Sequence, residues 1–398
     1  MVWTRNLATV YHQQNTDYYC GGATAQMILE QIGAGLLNQN TLYNSNHNNN
    51  TESGWSTDPD GLAKTLRNNR PSNFTNTFVV YKKSTEVEGT QKIVYTIWKY
   101  SVATGTLVFG DDHWICVRGI STSIEPKPGT TYSINGLWIN NPWPPVPSFY
   151  NNQPAQPPPH TATDGCGTGF DRGIDNEYVV YDPDWKNTYL TGCTWNGSFG
   201  YISVCDPETP KLGKLDLRKP EFWAKGDQMI TPNNAIEFAL RGVEIHNLTQ
   251  DKIFSKALNG SKPQDPILVQ RLDLLDTYYY IVPIARNGEV TAMLRVDGIY
   301  GNFQGGKTVS NPKKNPFTIR RQIIKNILEN PLQLDNKKGS LIVRKEAFCF
   351  YPTMVWRPCK ESRSPYYPFY MVTVGSHRVY IGYDGTIYPD LHDIGRGG

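Results

Sequence analysis

Residues 11–33, YHQQNTDYYCGGATAQMILEQIG, combine a polar lead-in, a single cysteine and a strongly apolar run. Within that run, apolar side chains would lie on most faces of a helix, namely Ala23, Ala25, Met27, Ile28, Leu29 and Ile32. This pattern is typical of a helix that is buried in a core, because a surface helix keeps one polar face. The sequence therefore predicts a buried helix that begins at Cys20 and ends near Gly33.

The position of Cys20 at the start of this helix has chemical consequences. A thiol there lies beside unpaired backbone N–H groups and the positive end of the helix dipole, which favour the thiolate and lower its pKa. Gly21 and Gly22 add no side-chain bulk, so a substrate could approach the sulfur closely. The amide of Gln14, six residues earlier, could donate a hydrogen bond to an oxyanion formed when the sulfur attacks. Since buried cysteines are usually inert, a catalytic role also requires a histidine downstream.

The pattern Gln14-x5-Cys20-Gly21 ahead of a helix resembles the nucleophile segment of papain-fold cysteine peptidases. In the form Gln-x-x-x-Tyr-Tyr-Cys-Gly-x-Ala, it is most similar to the bacterial C39-like branch of that fold. The resemblance implies an α+β fold in which the cysteine-bearing helix packs on an antiparallel sheet. It also implies covalent hydrolysis of a protein or peptide substrate, a chemistry that requires no metal and no organic cofactor.

The segment GDDHWICVRGI, residues 110–120, supplies the histidine. The apolar run 114–117 predicts a buried strand bounded by glycine turns, with His113 at its start. A histidine at the mouth of a strand can face a pocket while the strand holds it, and could serve as base for the thiol and acid for the leaving amine. A lone histidine there is more often a packed polar residue, but its combination with Gln14 and Cys20 favours catalysis.

By the same resemblance, the third catalytic residue follows on the next strand, where the sequence is GLWINNPWPP. Residues 137–139 predict the strand, and Asn141 takes the position at which the C39-like pattern usually has aspartate. Papain itself uses asparagine there, and either side chain can accept the imidazole N–H and hold its tautomer. The alternative orienting residue is Asp182, which precedes a proline in YVVYDPDW.

The 398 residues exceed one ordinary domain, and charge divides them unevenly. Residues 1–209 carry 12 Lys and Arg against 18 Asp and Glu, whereas residues 210–398 carry 27 against 18. A segment rich in proline and charge lies near 209–220. We therefore predict a papain-like, C39-like peptidase domain, residues 1–209, followed by a basic α+β accessory domain, residues 210–398. Their opposite charges would let the basic domain dock on the acidic one.

The second predicted domain contains a hairpin signature, Asn287-Gly288, between runs near 278–285 and 290–296 that favour strands. The run YYYIVP followed by NGEVTAMLRVDG loosely resembles the cystatin-like or PepSY-type modules that are attached to exported peptidases. The first residues, MVWTRNLATV, are too short and too polar to serve as the apolar part of a signal peptide. Localisation is left open by these features, with secretion or the cell envelope favoured.

Several other classes of protein are disfavoured by the sequence. No apolar run approaches the roughly 20 residues that are needed to span a bilayer. The basic half, residues 210–398, contains no glycine-rich phosphate loop, zinc-finger spacing or aromatic RNA-binding signature, so no nucleic-acid partner is expected. Among the seven cysteines, Cys116 is predicted to be a buried thiol. Five further cysteines could supply disulfides, but their spacing in the sequence does not determine how they would pair: Cys166, Cys193, Cys205, Cys349 and Cys359.

The remaining elements follow from periodicity and turn residues. Helices are predicted near 58–68, 233–247 and 318–328. Strands are predicted near 78–81, 93–100, 177–181, 201–204, 341–343 and 371–383. The asparagine-rich segment 37–55 is predicted to be a mobile polar loop. The proline-rich segment 142–159 is predicted to be a stiff loop that could form a substrate rim.

The sequence thus predicts a cysteine peptidase in which Cys20 attacks, His113 exchanges protons and Asn141 orients the ring. Gln14 and the backbone N–H of Cys20 would bind the oxyanion. Three alternatives stay open. The same residues could act as a transpeptidase or amidase, by amide transfer, ligation or isopeptide cleavage. The protein could be a non-catalytic binding module that retains the fold. It could also be a latent peptidase whose basic second domain covers the cleft.

Overall fold

The computed structural model describes residues 2–143, 176–217, 222–314, 332–336, 339–343, 353–374, 377–382 and 386–398. The fold is α+β, as predicted, with a large mixed β-sheet and helices packed beside it. The predicted helix at 318–328 lies outside the described residues, as does all of the predicted rim except its first two residues. Among the described residues, no helix combines the length and apolar character needed to cross a membrane.

Helices and strands alternate along the first half of the chain, and strands dominate the second half. The helices are α1 Cys20–Gln31, α2 Gln39–Asn48, α3 Pro59–Asn69, α4 Glu86–Tyr100, α5 Pro232–Ile245 and α6 Lys252–Leu258, with an irregular helical segment at Tyr181–Tyr189 and a short turn of helix at Leu248–Gln250. The strands are β1 Trp3–Asn6, β2 Val79–Lys83, β3 Thr104–Val108, β4 His113–Thr122, β5 Thr131–Tyr132, β6 Ile134–Asn140, β7 Glu177–Val180, β8 Cys193–Trp195, β9 Ser198–Cys205, β10 Lys214–Leu215, β11 Lys262–Pro263, β12 Ile267–Arg271, β13 Tyr278–Arg286, β14 Glu289–Asp297, β15 Phe303–Lys314, β16 Leu332–Asn336, β17 Gly339–Val343, β18 Thr353–Trp356, β19 Phe369–Val374, β20 His377–Ile381 and β21 Ile387–Tyr388.

Helix α1 confirms the prediction of a buried helix that begins at the cysteine. Every residue from Cys20 to Leu29 is buried, and the helix packs on α2, α3 and β4. It ends at Gln31, shortly before Gly33, whose φ of 91° allows the chain to reverse direction. The apolar pattern therefore located both the helix and its burial.

Two predictions that rest on capping and turn residues are also confirmed. Helix α3 follows Asp58, whose carboxylate accepts the Gly61 N–H at 2.7 Å, and Pro59 is its first residue. Strands β13 and β14 form the predicted hairpin. Their turn residues Asn287 and Gly288 have φ values of 54° and 80°, the positive values that a tight hairpin turn requires.

The predicted strand at 93–100 was wrong, because these residues form the second half of α4. Thr85 caps that helix by accepting the backbone N–H of Glu88. Ile93, Val94 and Ile97 then lie on its buried face, at spacings that bring residues together on a helix. Burial of that face outweighs the preference of β-branched residues for strands.

The prediction of a polar loop throughout 37–55 was also wrong, because the segment contains α2. Asn38 caps this helix through its side chain. Gln39 is fully buried in it, donating to the Gln13 carbonyl at 3.1 Å and accepting the Asn15 N–H at 2.8 Å. Buried hydrogen bonds thus hold α2 against the loop before α1, and a search for apolar periodicity does not detect them.

Strand β4 is the centre of the sheet, because three strands pair with it. Along one edge, β3 pairs with residues 113–117 and β1 pairs with residues 119–122. The other edge pairs with β6, which in turn pairs with β7. All residues of β4 are buried. The strand that begins at His113 is therefore held from both sides.

The sheet continues from β7 into the second half of the chain, past the boundary predicted near residue 209. Strand β7 pairs with β15, and antiparallel pairing continues through β14, β13 and β12. Strand β12 then pairs in parallel with β18, which is followed by β19 and β20. One apolar core contains residues from both halves, such as Ile120 and Val290, and a buried ion pair joins Asp184 to Arg295. The two halves thus share a sheet and a core.

The described cysteines are all free, buried thiols: Cys20, Cys116, Cys193, Cys205 and Cys359. The prediction of a buried thiol is confirmed for Cys116. The disulfides considered for Cys193, Cys205 and Cys359 are not formed. Cys166 and Cys349 lie outside the described residues.

Asp58 offers a test of how the loop before α3 is held. Its buried carboxylate caps α3 at Gly61 and also accepts the backbone N–H groups of Thr51 and Glu52. We expect Asp58→Ala to lower the free energy of unfolding by about 2–4 kcal/mol, because several N–H groups lose a charged acceptor. Urea unfolding followed by circular dichroism measures this change. The control Asp60→Ala removes a less buried carboxylate of the same helix and should cost less than about 1 kcal/mol; equal losses would contradict the capping role.

Candidate active site

The first turn of α1 lies against the first residues of β4, which brings Cys20 next to the start of that strand. The backbone N–H of Trp114 donates a hydrogen bond to Cys20 Sγ at 3.3 Å. The indole N–H of Trp114 donates to the Thr57 carbonyl at 2.9 Å, which ties β4 to the loop before α3. Cys20 is fully buried. Its sulfur is thus held where a helix, a strand and a loop meet.

His113 is the first residue of β4 and is fully buried. Its register is fixed because His113 pairs with Val108 on β3, and Cys116 of the same strand pairs with Asn140 on β6. Asn141 directly follows β6, and its Oδ1 lies 2.8 Å from His113 Nε2. Because Nε2 donates to this amide oxygen, Nδ1 is the acceptor nitrogen of the neutral ring. Nδ1 has no hydrogen-bond partner among the described residues.

The amide of Asn141 is itself oriented by its neighbours. Its Nδ2 donates to the Arg363 carbonyl at 3.1 Å, and its Oδ1 also accepts the Trp143 backbone N–H at 3.1 Å. The carbonyl of Arg363 requires a donor, so the amide nitrogen lies on that side and the oxygen faces His113. A carboxylate at this position would face the Arg363 carbonyl oxygen and would have no proton to donate to it. The surroundings therefore favour asparagine over aspartate here.

Gln14 lies in the loop ahead of α1 and is fully buried. Its backbone N–H donates to the Pro142 carbonyl at 3.0 Å, which ties this loop to the segment that carries Asn141. Its side-chain Nε2 donates to the Thr16 carbonyl at 2.6 Å. The structure therefore places Gln14 in the loop between α1 and the segment that carries Asn141, and one hydrogen of its side-chain amide bonds within that loop.

The two glycines after Cys20 serve packing rather than open access to the sulfur, which corrects the sequence-based expectation. A Cβ at Gly21 would lie 2.5 Å from the Thr57 hydroxyl oxygen, so the loop before α3 occupies that space. A Cβ at Gly22 would lie 3.2 Å from the Tyr43 side chain and the Gln39 carbonyl. Glycine at these positions lets the neighbouring elements approach the first turn of α1.

The pKa of Cys20 is raised above its ordinary value, not lowered as the sequence predicted, because burial penalises the thiolate. The charge of Arg363 and the N–H groups of Trp114, Gly21 and Cys20 itself act in the predicted direction, but burial outweighs them. Burial and the same arginine also hold the pKa of His113 well below its usual range. In this structure Cys20 is therefore a neutral thiol and His113 is a neutral imidazole.

Arg363, in the connection between β18 and β19, is a site residue that sequence analysis missed. Its side chain is fully buried, donates to the Asp17 carbonyl and lies with its guanidinium carbon 5.5 Å from the centre of the Trp143 ring. Its charge favours the Cys20 thiolate and disfavours the imidazolium of His113. Nothing in the sequence around residue 363 indicates this role, since the contact depends on tertiary structure alone.

Residues 395–398, with the sequence Gly-Arg-Gly-Gly, cover Cys20. The thiol donates to the Gly397 carbonyl oxygen at 3.4 Å. A Cβ built on Gly398 would lie only 2.7 Å from the sulfur. This segment therefore fills the space that a reacting carbonyl group would need to enter.

The covering segment is hydrogen-bonded to both walls of a cleft. On one wall, the Gly397 N–H donates to the Asp111 carbonyl at 2.6 Å. On the other, Ser56 donates its backbone N–H to the Arg396 carbonyl at 2.9 Å and its hydroxyl to the Gly398 oxygen at 3.3 Å. The cleft between the loop before α3 and the turn before β4 thus binds the backbone of this segment through main-chain groups and the Ser56 hydroxyl.

Asp182, the alternative orienting residue, lies in another part of the structure. It forms an ion pair with Lys186 at 2.7 Å. It also lines a pocket of about 190 Å³ beside His246, and a second pocket of about 680 Å³ lies beside β1 and residues 250–253. Neither pocket contains Cys20, His113 or Asn141. Among the described residues, no group of three or more His, Cys, Asp and Glu side chains is arranged to hold a metal ion.

Comparison of the chain with protein-family models, with curated proteins and with solved structures found no match. A functional interpretation of the site therefore rests on its geometry. It also rests on the residue pattern that precedes α1.

Asp112, next to His113, provides a pH-dependent test of the turn before β4. Burial, together with the charge of Asp111, raises the pKa of Asp112 to about 7. A carboxyl group with a raised pKa in the folded state stabilises the fold below its unfolded pKa, near 4, and this contribution is lost as the pH rises to about 7. The free energy of unfolding of Asp112→Asn, relative to that of the unmodified protein, should therefore rise by roughly 2 kcal/mol between pH 4 and pH 8. This rise is smaller than the full pKa shift implies, because the carboxyl group is partly exposed.

Urea unfolding of both proteins at pH 4.5, 6 and 8 measures this difference. The matched control is Asp265→Asn, which neutralises an exposed carboxylate in the second half of the chain. Comparison with this variant separates the effect of Asp112 from the general effect of removing one negative charge. A pH-independent difference for Asp112→Asn would contradict the raised pKa.

Proposed function

We propose that this protein is a cysteine peptidase with a papain-like catalytic triad of Cys20, His113 and Asn141. The observation that carries the proposal is the arrangement at the start of β4. Asn141 holds the ring of His113 through Nε2 at 2.8 Å, and the next backbone N–H of the same strand holds the Cys20 sulfur at 3.3 Å. The resemblance of the segment before α1 to C39-like peptidases supports the same interpretation.

In the proposed mechanism, His113 Nδ1 takes the proton of the Cys20 thiol while Sγ attacks the carbonyl carbon of a peptide bond. The imidazolium then gives that proton to the leaving nitrogen, the C–N bond breaks and a thioester remains. A water molecule loses a proton to His113 as it attacks the thioester carbon, and the thiol leaves with that proton. Asn141 accepts the Nε2–H throughout, which keeps Nδ1 available for both transfers.

The oxyanion formed in each step requires hydrogen-bond donors. Cys20 is the first residue of α1, so its backbone N–H has no acceptor within the helix. Gln14 is the second candidate donor. Its amide carries two hydrogens, and the proposed role requires one besides the hydrogen that bonds to Thr16.

The covering segment supports a latent form of this peptidase, one of the alternatives from the sequence. Residues 395–398 occupy the cleft by main-chain hydrogen bonds, which is how a peptide substrate would be held. Attack on an external peptide therefore requires this segment to leave first. The segment also gives a reason for the neutral thiol, because its departure would admit water and reduce the burial that raises the pKa of Cys20.

A thiol-directed epoxide separates an enzyme from a binding module that retains the fold. We expect slow labelling of the full chain at Cys20, mapped by mass spectrometry of peptides, with the buried Cys116 and Cys205 as internal controls. His113→Ala should slow that labelling at least about tenfold, since it removes the base. Labelling at another cysteine, or an unchanged rate in His113→Ala, would contradict the proposal.

Asn141 is tested by comparison with Asp182. Asn141→Ala should lower kcat by about two orders of magnitude or more on a peptide substrate, because the ring of His113 loses the acceptor that sets its tautomer. Asp182→Ala removes the partner of Lys186 and should change kcat less than about twofold. Steady-state kinetics measure both. The reverse order of effects would move the orienting role to Asp182.

A further inference from the structure

The side chain of Arg396 occupies a defined position in the wall of the cleft. Its Nε lies 2.7 Å from Asp111 Oδ2, and its Nη2 lies 3.4 Å from Glu52 Oε2 and 2.9 Å from the Thr194 carbonyl oxygen. Its guanidinium carbon lies 4.4 Å from the centre of the Trp55 ring. A planar guanidinium thus meets two carboxylates, a carbonyl and an aromatic face, and an ammonium group could not reproduce this set of contacts.

The groups that contact Arg396 are held by bonds of their own. Glu52 accepts the Asn196 backbone N–H at 2.7 Å and the Trp55 indole N–H at 3.0 Å. Burial alone would raise the pKa of Glu52, but these two hydrogen bonds and the charge of Arg396 lower it below its ordinary value. The carboxylate is therefore charged and oriented at neutral pH, as a recognition site for a cation requires.

The residue after Arg396 has no room for a side chain. A Cβ on Gly397, whose φ is 70°, would lie 2.1 Å from the Thr57 carbonyl oxygen. This overlap is with backbone, so rotation of a side chain cannot relieve it. The carbonyl of Gly397 is the one that accepts the Cys20 thiol. The cleft therefore selects glycine at the position whose carbonyl faces the sulfur.

We propose that Glu52, Trp55 and Asp111 form a subsite that binds an arginine side chain of the substrate, directly before a glycine whose carbonyl faces Cys20. Residues 395–398 occupy this subsite as an intramolecular ligand. As a statement about substrate class, the inference rests on the proposed peptidase function. As a statement about peptide binding, it can be tested without catalysis.

The same contacts could serve only to anchor residues 395–398 to the rest of the protein. Because an attached segment has a high effective concentration, contacts that serve only as an anchor would not be sufficient to bind a separate peptide. A subsite would discriminate between arginine and citrulline, which has nearly the same shape but no charge. This difference decides between the two explanations.

The test uses the full chain carrying Arg396→Ala, which weakens the intramolecular ligand, and follows alkylation of Cys20 by iodoacetamide with mass spectrometry. We expect alkylation about tenfold faster than in the unmodified chain, because charge-assisted hydrogen bonds to the segment are lost. The peptide Ile-Gly-Arg-Gly-Gly, which copies residues 394–398, should restore protection. The citrulline version should require at least about tenfold higher concentration.

Matched variants locate the discrimination. Adding Glu52→Gln and Asp111→Asn to the Arg396→Ala chain should make the two peptides protect at similar concentrations. Adding Asp273→Asn instead, which removes a carboxylate paired with Arg271 outside the cleft, should leave the preference for arginine intact. Thermal unfolding checks that each variant folds, and Arg396→Lys, which keeps the charge but not the planar contacts, replaces Arg396→Ala if that variant does not fold.

Equal protection by the two peptides, or protection by neither, would overturn the subsite. An alkylation rate in Arg396→Ala no higher than in the unmodified chain would also overturn it. Arginine-dependent protection without hydrolysis of a longer peptide containing Arg-Gly-Gly would retain the subsite and reject the peptidase function. Hydrolysis without preference for arginine would reject the subsite alone.

Discussion

The hydrogen bond from the Trp114 backbone N–H to the Cys20 sulfur is the contact on which the candidate site depends. Trp114 follows His113 in β4, so this bond places the sulfur against the residue next to His113, and it does so through backbone register rather than side-chain rotation. Strands β1, β3 and β6 fix that register from both edges. Because side chains alternate along a strand, a slip of one residue would turn His113 to the other face of the sheet. The sheet thus determines the geometry of the site.

Burial and local electrostatics act on the Cys20 sulfur in opposite directions. Backbone N–H groups at the start of α1 and the charge of Arg363 favour the thiolate, whereas complete burial disfavours it more strongly. In the proposed mechanism, transfer of the thiol proton to His113 would therefore accompany attack or follow exposure of the cleft. Burial, with the charge of the same arginine, lowers the pKa of His113, which keeps the ring unprotonated but makes it a weaker base. The charge of Arg363 thus favours the thiolate of Cys20 but disfavours the imidazolium of His113.

Sequence patterns correctly predicted the elements whose structure is determined by residues close together in the chain. The apolar run after Cys20 predicted α1, the Asp58-Pro59 pair predicted the start of α3, and Asn287-Gly288 predicted the hairpin of β13 and β14. Residues 93–100 were misassigned because burial of a helical face overrode β-propensity. Arg363 and residues 395–398 could not be predicted, because they reach the site only through pairing of β7 with β15 and of β12 with β18. The pKa of Cys20 also required the tertiary structure, since its sign depends on burial.

The second half of the chain is part of the site as well as of the sheet. The carbonyl of Arg363 accepts the Asn141 amide, so the orientation of the residue that holds His113 depends on the connection between β18 and β19. Arg396 places a basic group of the second half between Asp111 and Glu52 of the acidic first half. At these positions, opposite charges from the two halves of the chain are in direct contact. The first half carries Cys20, His113 and Asn141, and the second half contributes the charge of Arg363 and the segment that covers the sulfur.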